Sequence, residues 1–324
     1  MNSRRVIGGL VLSLLASVLV AAVLAALSDA RQVASALTRF PLVTLLAMLA
    51  LSLACFALRS IRWAWLMRLV GTPMSLVDAT YLQVAGQTMT ITPGRVGEIL
   101  KPWLAKRLAG LSMSRGIALA FAERVADLIA VCVLSLGAVS ILGGSTWALP
   151  IALAAILAGT AVASSGRFHA LALRVVEKQR WARRHHSSAG RIAQTLGTAL
   201  NWRALLWSTP VSVVAWGLEG VGFWLCLRAL GVDGVGLLLA ISIYAIATIV
   251  GAFTFLPGGI GLTEASMAGL LVATGVGAPE ASAATLITRL ATLWWGVGVG
   301  WLALLSRPAV LKEMLAEQSA TEVA

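Results

Sequence analysis

Four ionisable residues stand at matched spacing in a chain that otherwise avoids charge. Glu98 is followed 26 residues later by Arg124, and Glu264 is followed 25 residues later by Arg289. Each glutamate comes just after a Pro-Gly break, in Thr92-Pro93-Gly94-Arg95-Val96-Gly97-Glu98 and in Leu256-Pro257-Gly258-Gly259-Ile260-Gly261-Leu262-Thr263-Glu264. The residue types support two kinds of chemistry. Arginines can hold a phosphate while glutamates couple protons or gate, or each Glu–Arg pair can be a salt bridge that pins a broken segment to the next helix.

The breaks follow from backbone chemistry. Proline lacks an amide donor and clashes with the preceding turn, and glycine reaches conformations that other residues avoid. Both breaks fall in strongly apolar sequence. Of the 324 residues 59% are hydrophobic and 12% charged, against about 25% charged in an average soluble domain, and the mean hydropathy is +0.90. This is the composition of an all-α polytopic membrane protein. Broken helices at membrane depth are tolerated only where they are buried in protein or line a cavity. An ionisable group there costs at least about 2.5–3.5 kcal/mol, so it faces a cavity or a partner.

The elements that must carry these residues can be read in order. Residues 6–27 form an apolar run too long for a signal-peptide core of about 7–15 residues, and are expected to be a retained first span. Asp29, Arg31 and Arg39 mark the loop after it. A second span is expected over about 41–58, followed by Arg59, Arg62 and Arg68 at a cytoplasmic end. The run from Ala79 to Thr92 is short and partly polar, and its fourteen residues reach only about 21 Å of a hydrocarbon core of about 30 Å. Basic clusters flank it, so a re-entrant hairpin entering from the cytoplasm is expected. Further spans are expected at 116–142, 148–164 and 204–228, with an external turn at Gly143-Gly144-Ser145. The segment 165–203 is a basic cytoplasmic loop that reads as an amphipathic interfacial helix. Residues 236–255 and 262–275 form a second hairpin entering from outside, and a last span covers about 281–305.

Six full spans and two re-entrant hairpins result, with repeat units over about 78–142 and 236–305 that enter from opposite sides. Residues 1–312 form a single transmembrane domain, 313–324 a short polar tail, and both termini are cytoplasmic. Inverted repeats with discontinuous helices are a transporter architecture, and helix starts exposed at such breaks can bind an anion. The expected substrate-binding residues are Arg95, Glu98, Lys101, Arg124, Glu264 and Arg289. Pro93, Gly94, Gly97, Pro257, Gly258, Gly259 and Gly261 shape the breaks. Glu123 and Asp127 are placed to neutralise Arg124 from their own helix, and Glu219 is the sole acid of its span. The net charge of +12 lies mainly in loops, the positive-inside pattern rather than a nucleic-acid face, and it suits anionic headgroups. Cys55, Cys132 and Cys226 sit in apolar runs as small core residues. No metal-ligand spacing, nucleotide loop or catalytic constellation is visible, so neither cofactor nor enzymatic activity is expected.

The run Pro93-Gly94-Arg95-Val96-Gly97-Glu98-Ile99-Leu100-Lys101, then Glu123-Arg124-Val125-Ala126-Asp127, then Leu256 to Glu264 and Arg289, closely resembles the lysylphosphatidylglycerol synthase transmembrane-region family, or flippase-like domain proteins. The resemblance covers roughly residues 8–306. It implies a bacterial inner-membrane protein that moves or exports a lipid or lipid-linked headgroup between leaflets, the lipid being a phospholipid, glycolipid, polyprenyl-linked or hopanoid species. A lipid-synthesising partner enzyme would supply it. The namesake also carries a soluble aminoacyl-transferase domain with no counterpart in these 324 residues, so synthesis of a lysyl-lipid is not expected. The alternatives are a non-transporting scaffold that recruits a lipid-modifying enzyme through 165–203, and a membrane-embedded transferase using Glu98 as base.

Overall fold

The computed structural model describes residues 29–91, 99–141, 186–253 and 257–320, with isolated positions at 18–19, 154, 158–159, 162 and 165. The expected spans over 6–27 and 148–164, the turn at Gly143-Gly144-Ser145, residues 166–185 of the basic loop and the first break from Thr92 to Glu98 lie outside the described residues. Those described are helical, with no strand among them.

Helix α1 covers Ala30–Thr38, where the sequence suggested only a loop. It forms because Asp29 caps it: its Oδ1 accepts from the amides of Arg31 at 2.9 Å and Gln32 at 3.3 Å, satisfying two donors that a helix start leaves open. Helix α2, Leu42–Leu69, runs eleven residues beyond the expected end at 58. Nothing between 58 and 69 breaks a helix, and termination waits for Gly71. This residue takes φ 75°, and the Thr72 amide bonds back to the Met67 carbonyl at 3.0 Å in a left-handed C-cap. Arg59 and Arg62 therefore sit inside a helix rather than in a loop.

The order continues with α3 (Leu76–Ala85), a 3-10 turn at Gly86–Met89, α4 (Leu100–Ala109), α5 (Met113–Ile141), α6 (His186–Ala199), α7 (Trp202–Ala229), α8 (Leu237–Ala252), a 3-10 turn at Pro257–Gly259 and α9 (Leu262–Ala273). Helix α10, Ala278–Ser306, passes through a π-helical turn at Leu290–Trp294, and α11 covers Pro308–Ala320. Helices α2, α7 and α10 are long and apolar enough to cross a membrane, whereas α8 and α9 are shorter apolar helices. Helix α6 holds most of the described part of the basic segment, whose last residues, Trp202 and Arg203, begin α7.

The chain divides into two compact units. One comprises Met1–Ala54, Val84–Gly97 and Leu218–Ala324, the other Cys55–Gln83 and Glu98–Gly217. In the first unit α8 packs on α9, α9 on α10, α1 on α10, and the far half of α10 on the turn at Gly86–Met89. In the second unit α5 is the centre, with α4 and α6 packed on it. Trp63, Leu66, Met67, Leu82, Leu104 and Leu119 are buried there, and Trp65 stacks on Trp207 with ring centroids 4.4 Å apart.

Small residues set the closest approaches. At Gly300 of α10, a Cβ would lie 2.9 Å from the Val84 carbonyl oxygen and 2.9 Å from the Thr88 amide nitrogen, backbone atoms that cannot move aside cheaply. Gly298, two residues earlier, has open space around the same position. Gly300→Ala is therefore expected to destabilise the protein by about 1–3 kcal/mol through overpacking, and Gly298→Ala to leave it within about 0.5 kcal/mol. Thermal unfolding of the two variants in detergent micelles checks the contrast.

Candidate functional site

Helix α5 carries Glu123 and Asp127 one turn apart, both buried. Buried carboxylates require cations, and most of the charge opposing them comes from other helices. Arg62 of α2 donates from one terminal nitrogen to Glu123 Oε1 at 2.7 Å and from the other to Asp127 Oδ1 at 2.7 Å. The latter nitrogen also donates to the Ser212 hydroxyl on α7. One guanidinium thus bridges two carboxylates, its planar fork aiming a separate N–H group at each. Lys101 of α4 donates to Glu123 Oε2 at 2.9 Å and Oε1 at 3.2 Å, and to Gln83 Oε1 of α3 at 2.8 Å. Its Nζ also lies 5.5 Å from the centre of the Trp63 ring. Lys101 and Glu123 thus tie α3 and α4 to α5.

Arg124, expected among the substrate-binding residues, lies at the edge of this group. Its side chain is 39% exposed, 3.2 Å from Asp127 Oδ2 and 3.8 Å from Glu123 Oε1. The expectation that Glu123 and Asp127 neutralise Arg124 from the same helix is thus met only in part, because Arg62 and Lys101 make their directed bonds. Arg59, one turn before Arg62, packs with its guanidinium 4.4 Å from the centre of the Trp216 ring. Pro93, Gly94, Arg95, Gly97 and Glu98 lie outside the described residues.

The second break is fully built around Arg289. Its Nε donates to Glu264 Oε1 at 2.5 Å, and a terminal nitrogen donates to the Gly258 carbonyl at 2.7 Å. The other oxygen of Glu264 accepts from the Gly261 amide at 2.6 Å. Glu264 is the third residue of α9, where a carboxylate reaches back to an orphan donor at the helix start and meets the positive end of the helix dipole. The turn itself is possible only with glycine: Gly258, Gly259 and Gly261 take φ 60°, 66° and 98°. Pro257 opens the turn, and Gly251 at the end of α8 lets the Thr263 side chain approach its backbone closely. Just past Arg289 the helix widens into the π turn, a distortion that recurs at functional positions. Glu219 of α7 accepts from the Tyr244 hydroxyl of α8 at 2.5 Å.

Sequence reasoning missed Arg62, Gln83, Ser212 and Tyr244. For Arg62 a signal existed. Glu123-Arg124-Val125-Ala126-Asp127 places two acids against one arginine in an apolar helix, and the unmatched negative charge demands a cation from elsewhere. Gln83, Ser212 and Tyr244 carry no charge and left no comparable trace.

The bridging role makes Arg62 the most costly cation to remove. Arg62→Met leaves two buried carboxylates short of charge and is expected to destabilise by about 3–5 kcal/mol. Arg228→Met breaks a pair with Asp233 in which the two side chains are 48% and 72% exposed, and is expected to cost less than about 1 kcal/mol. Denaturant unfolding in mixed micelles measures both.

Three archaeal relatives, all from Methanothermobacter thermautotrophicus and each described as a UPF0104 membrane protein, match most of the chain. One is 25% identical over 302 residues, covering 84% of this chain and 88% of the relative. The second is 26% identical over 271 residues, covering 78% and 80%. A third is 26% identical over 267 residues, covering 72% and 74%. The model of the lysylphosphatidylglycerol synthase TM region matches residues 10–300, which take in α1 to α9, nearly all of α10 and every charged residue placed above. With its apolar helices, the broken helix at Pro257 and charge held inside both units, the chain is a membrane protein that belongs to the lysylphosphatidylglycerol synthase TM region family.

Proposed function

We propose that this protein moves a lipid or lipid-linked headgroup between the leaflets of a bacterial inner membrane, without being an enzyme. The observation that carries this reading is the closed arrangement at the second break. A membrane helix is interrupted at Pro257-Gly258-Gly259, and its freed carbonyl and the glutamate beyond it are both held by one arginine. Such a break is stable in lipid only with its polar groups answered internally. Releasing and re-forming the Arg289 contacts gives a polar route for a headgroup without exposing backbone to acyl chains. The family name, which refers to a lipid synthase, supports a lipid as the cargo.

In this reading the chain has about six full spans and two re-entrant hairpins in inverted repeat units over about 78–142 and 236–305, within one transmembrane domain over 1–312. Both termini are cytoplasmic, and the segment 165–203 lies on the cytoplasmic interface. Arg95, Glu98, Lys101, Arg124, Glu264 and Arg289 line the path, while the glycines at each break and Glu219 govern its opening.

Two measurements test this. Purified protein in vesicles should carry a fluorescent glycerophospholipid from the inner leaflet to one accessible to a membrane-impermeant quencher. Arg289→Ala and Glu98→Gln should each slow the transfer at least about tenfold, an effect of ~1.4 kcal/mol. Transfer at the parent rate in both variants would refute the path. No transfer by the parent, with retained capture of a lipid-modifying enzyme, would favour a scaffold. For topology, single cysteines introduced beside Gly94 and Gly259 should label from opposite sides of the membrane, and labelling from one side would sink the inverted repeat.

A further inference from the structure

We propose that the guanidinium of Arg124 is the receiving group for one phosphate-type anion. The inference rests on the lipid reading above for the anion's source, a lipid headgroup, and on the charges of one unit for everything else. In that unit three cations, Arg62, Lys101 and Arg124, gather around two carboxylates, Glu123 and Asp127.

The distribution of hydrogen bonds shows where the surplus falls. Arg62 and Lys101 take both oxygens of Glu123 and one oxygen of Asp127. Arg124 is left facing Asp127 Oδ2, which is buried and accepts no hydrogen bond, so their 3.2 Å contact is electrostatic without being directed. Among the described residues Arg124 donates no hydrogen bond at all, although a guanidinium carries five N–H donors. It is also the accessible cation of the three: the side chains of Arg62 and Lys101 are 0% and 10% exposed, that of Arg124 39%.

An arginine that donates no hydrogen bond among the described residues, beside a carboxylate already held by Arg62, can receive an anion that accepts two parallel N–H bonds. Phosphate oxygens match that spacing. Asp127 behind it holds the side chain in place without satisfying it. Inorganic phosphate presents the same oxygens as a phosphodiester headgroup, and the two sources are separable by experiment.

The full chain, purified in uncharged detergent, is titrated with short-chain phosphatidylglycerol, inorganic phosphate and uncharged short-chain diacylglycerol. Phosphatidylglycerol should bind, Arg124→Gln should weaken it roughly tenfold or more, and Arg124→Lys should retain part of the affinity through its charge alone. Displacement of the lipid by inorganic phosphate at equal concentration would support the anion site and assign it to free phosphate. Undiminished phosphatidylglycerol binding by an Arg124→Gln protein that melts as the parent does would overturn the proposal, as would equal binding of the uncharged diacylglycerol. Should Arg124→Gln fail to fold, the Arg124→Lys comparison decides: affinity unchanged from the parent for all three probes overturns it. Arg124-dependent binding without leaflet transfer would remove the translocation reading and keep the site. Transfer with Arg124-independent binding would do the reverse.

Discussion

An ion pair that closes over a broken membrane helix is the constraint on which the rest of this structure depends. In hydrocarbon a carboxylate or guanidinium has no water to fall back on, so every charge must be met by another part of the chain. The placement of the helices follows from that requirement as much as from apolar packing. Arg62 holds α2 to α5, Lys101 holds α4 and α3 to α5, and Arg289 holds the turn at Pro257 to α10. Replacing such a group by an apolar one of similar size is tolerable only where its partners are replaced as well. The charges are therefore coupled to one another more tightly than to any local helix preference.

Two pairs of successive helices use one device with the signs exchanged. Helix α4 contributes a cation, Lys101, to an acid on α5, Glu123. Helix α9 contributes an acid, Glu264, to a cation on α10, Arg289. In both, the contact joins a short helix to the next helix along the chain. The pin at Arg289 goes further, since its second bond captures a carbonyl of the break itself. A single side chain there controls both the position of α9 and the conformation of its entry turn.

Much of this was legible in the sequence, for identifiable reasons. The apolar runs announced an all-helical membrane protein, and α7, α8, α9 and α10 begin and end within a few residues of expectation, because glycine, proline and aspartate punctuate them. The spacing from Glu264 to Arg289 anticipated a contact the structure contains. What escaped was anything requiring two distant segments at once. Arg62 was assigned to a loop because arginines after an apolar run usually mark a cytoplasmic boundary. Whether such an arginine is a boundary or a buried counter-ion depends on the acids of a helix sixty residues away. The π turn after Arg289 left no signal either.

Charge accounting then separates the two sites by what each can still do. At the second break Glu264 and Arg289 cancel, and Arg289 gives one N–H to the carboxylate and another to the Gly258 carbonyl. In charge that pair is complete. The cluster on α5 is not complete in the same sense. Its two carboxylates are consumed by Arg62 and Lys101 before Arg124 is reached, and the oxygen nearest to Arg124 makes no directed bond with it. The pair at Arg289 is closed, whereas Arg124 donates no hydrogen bond among the described residues.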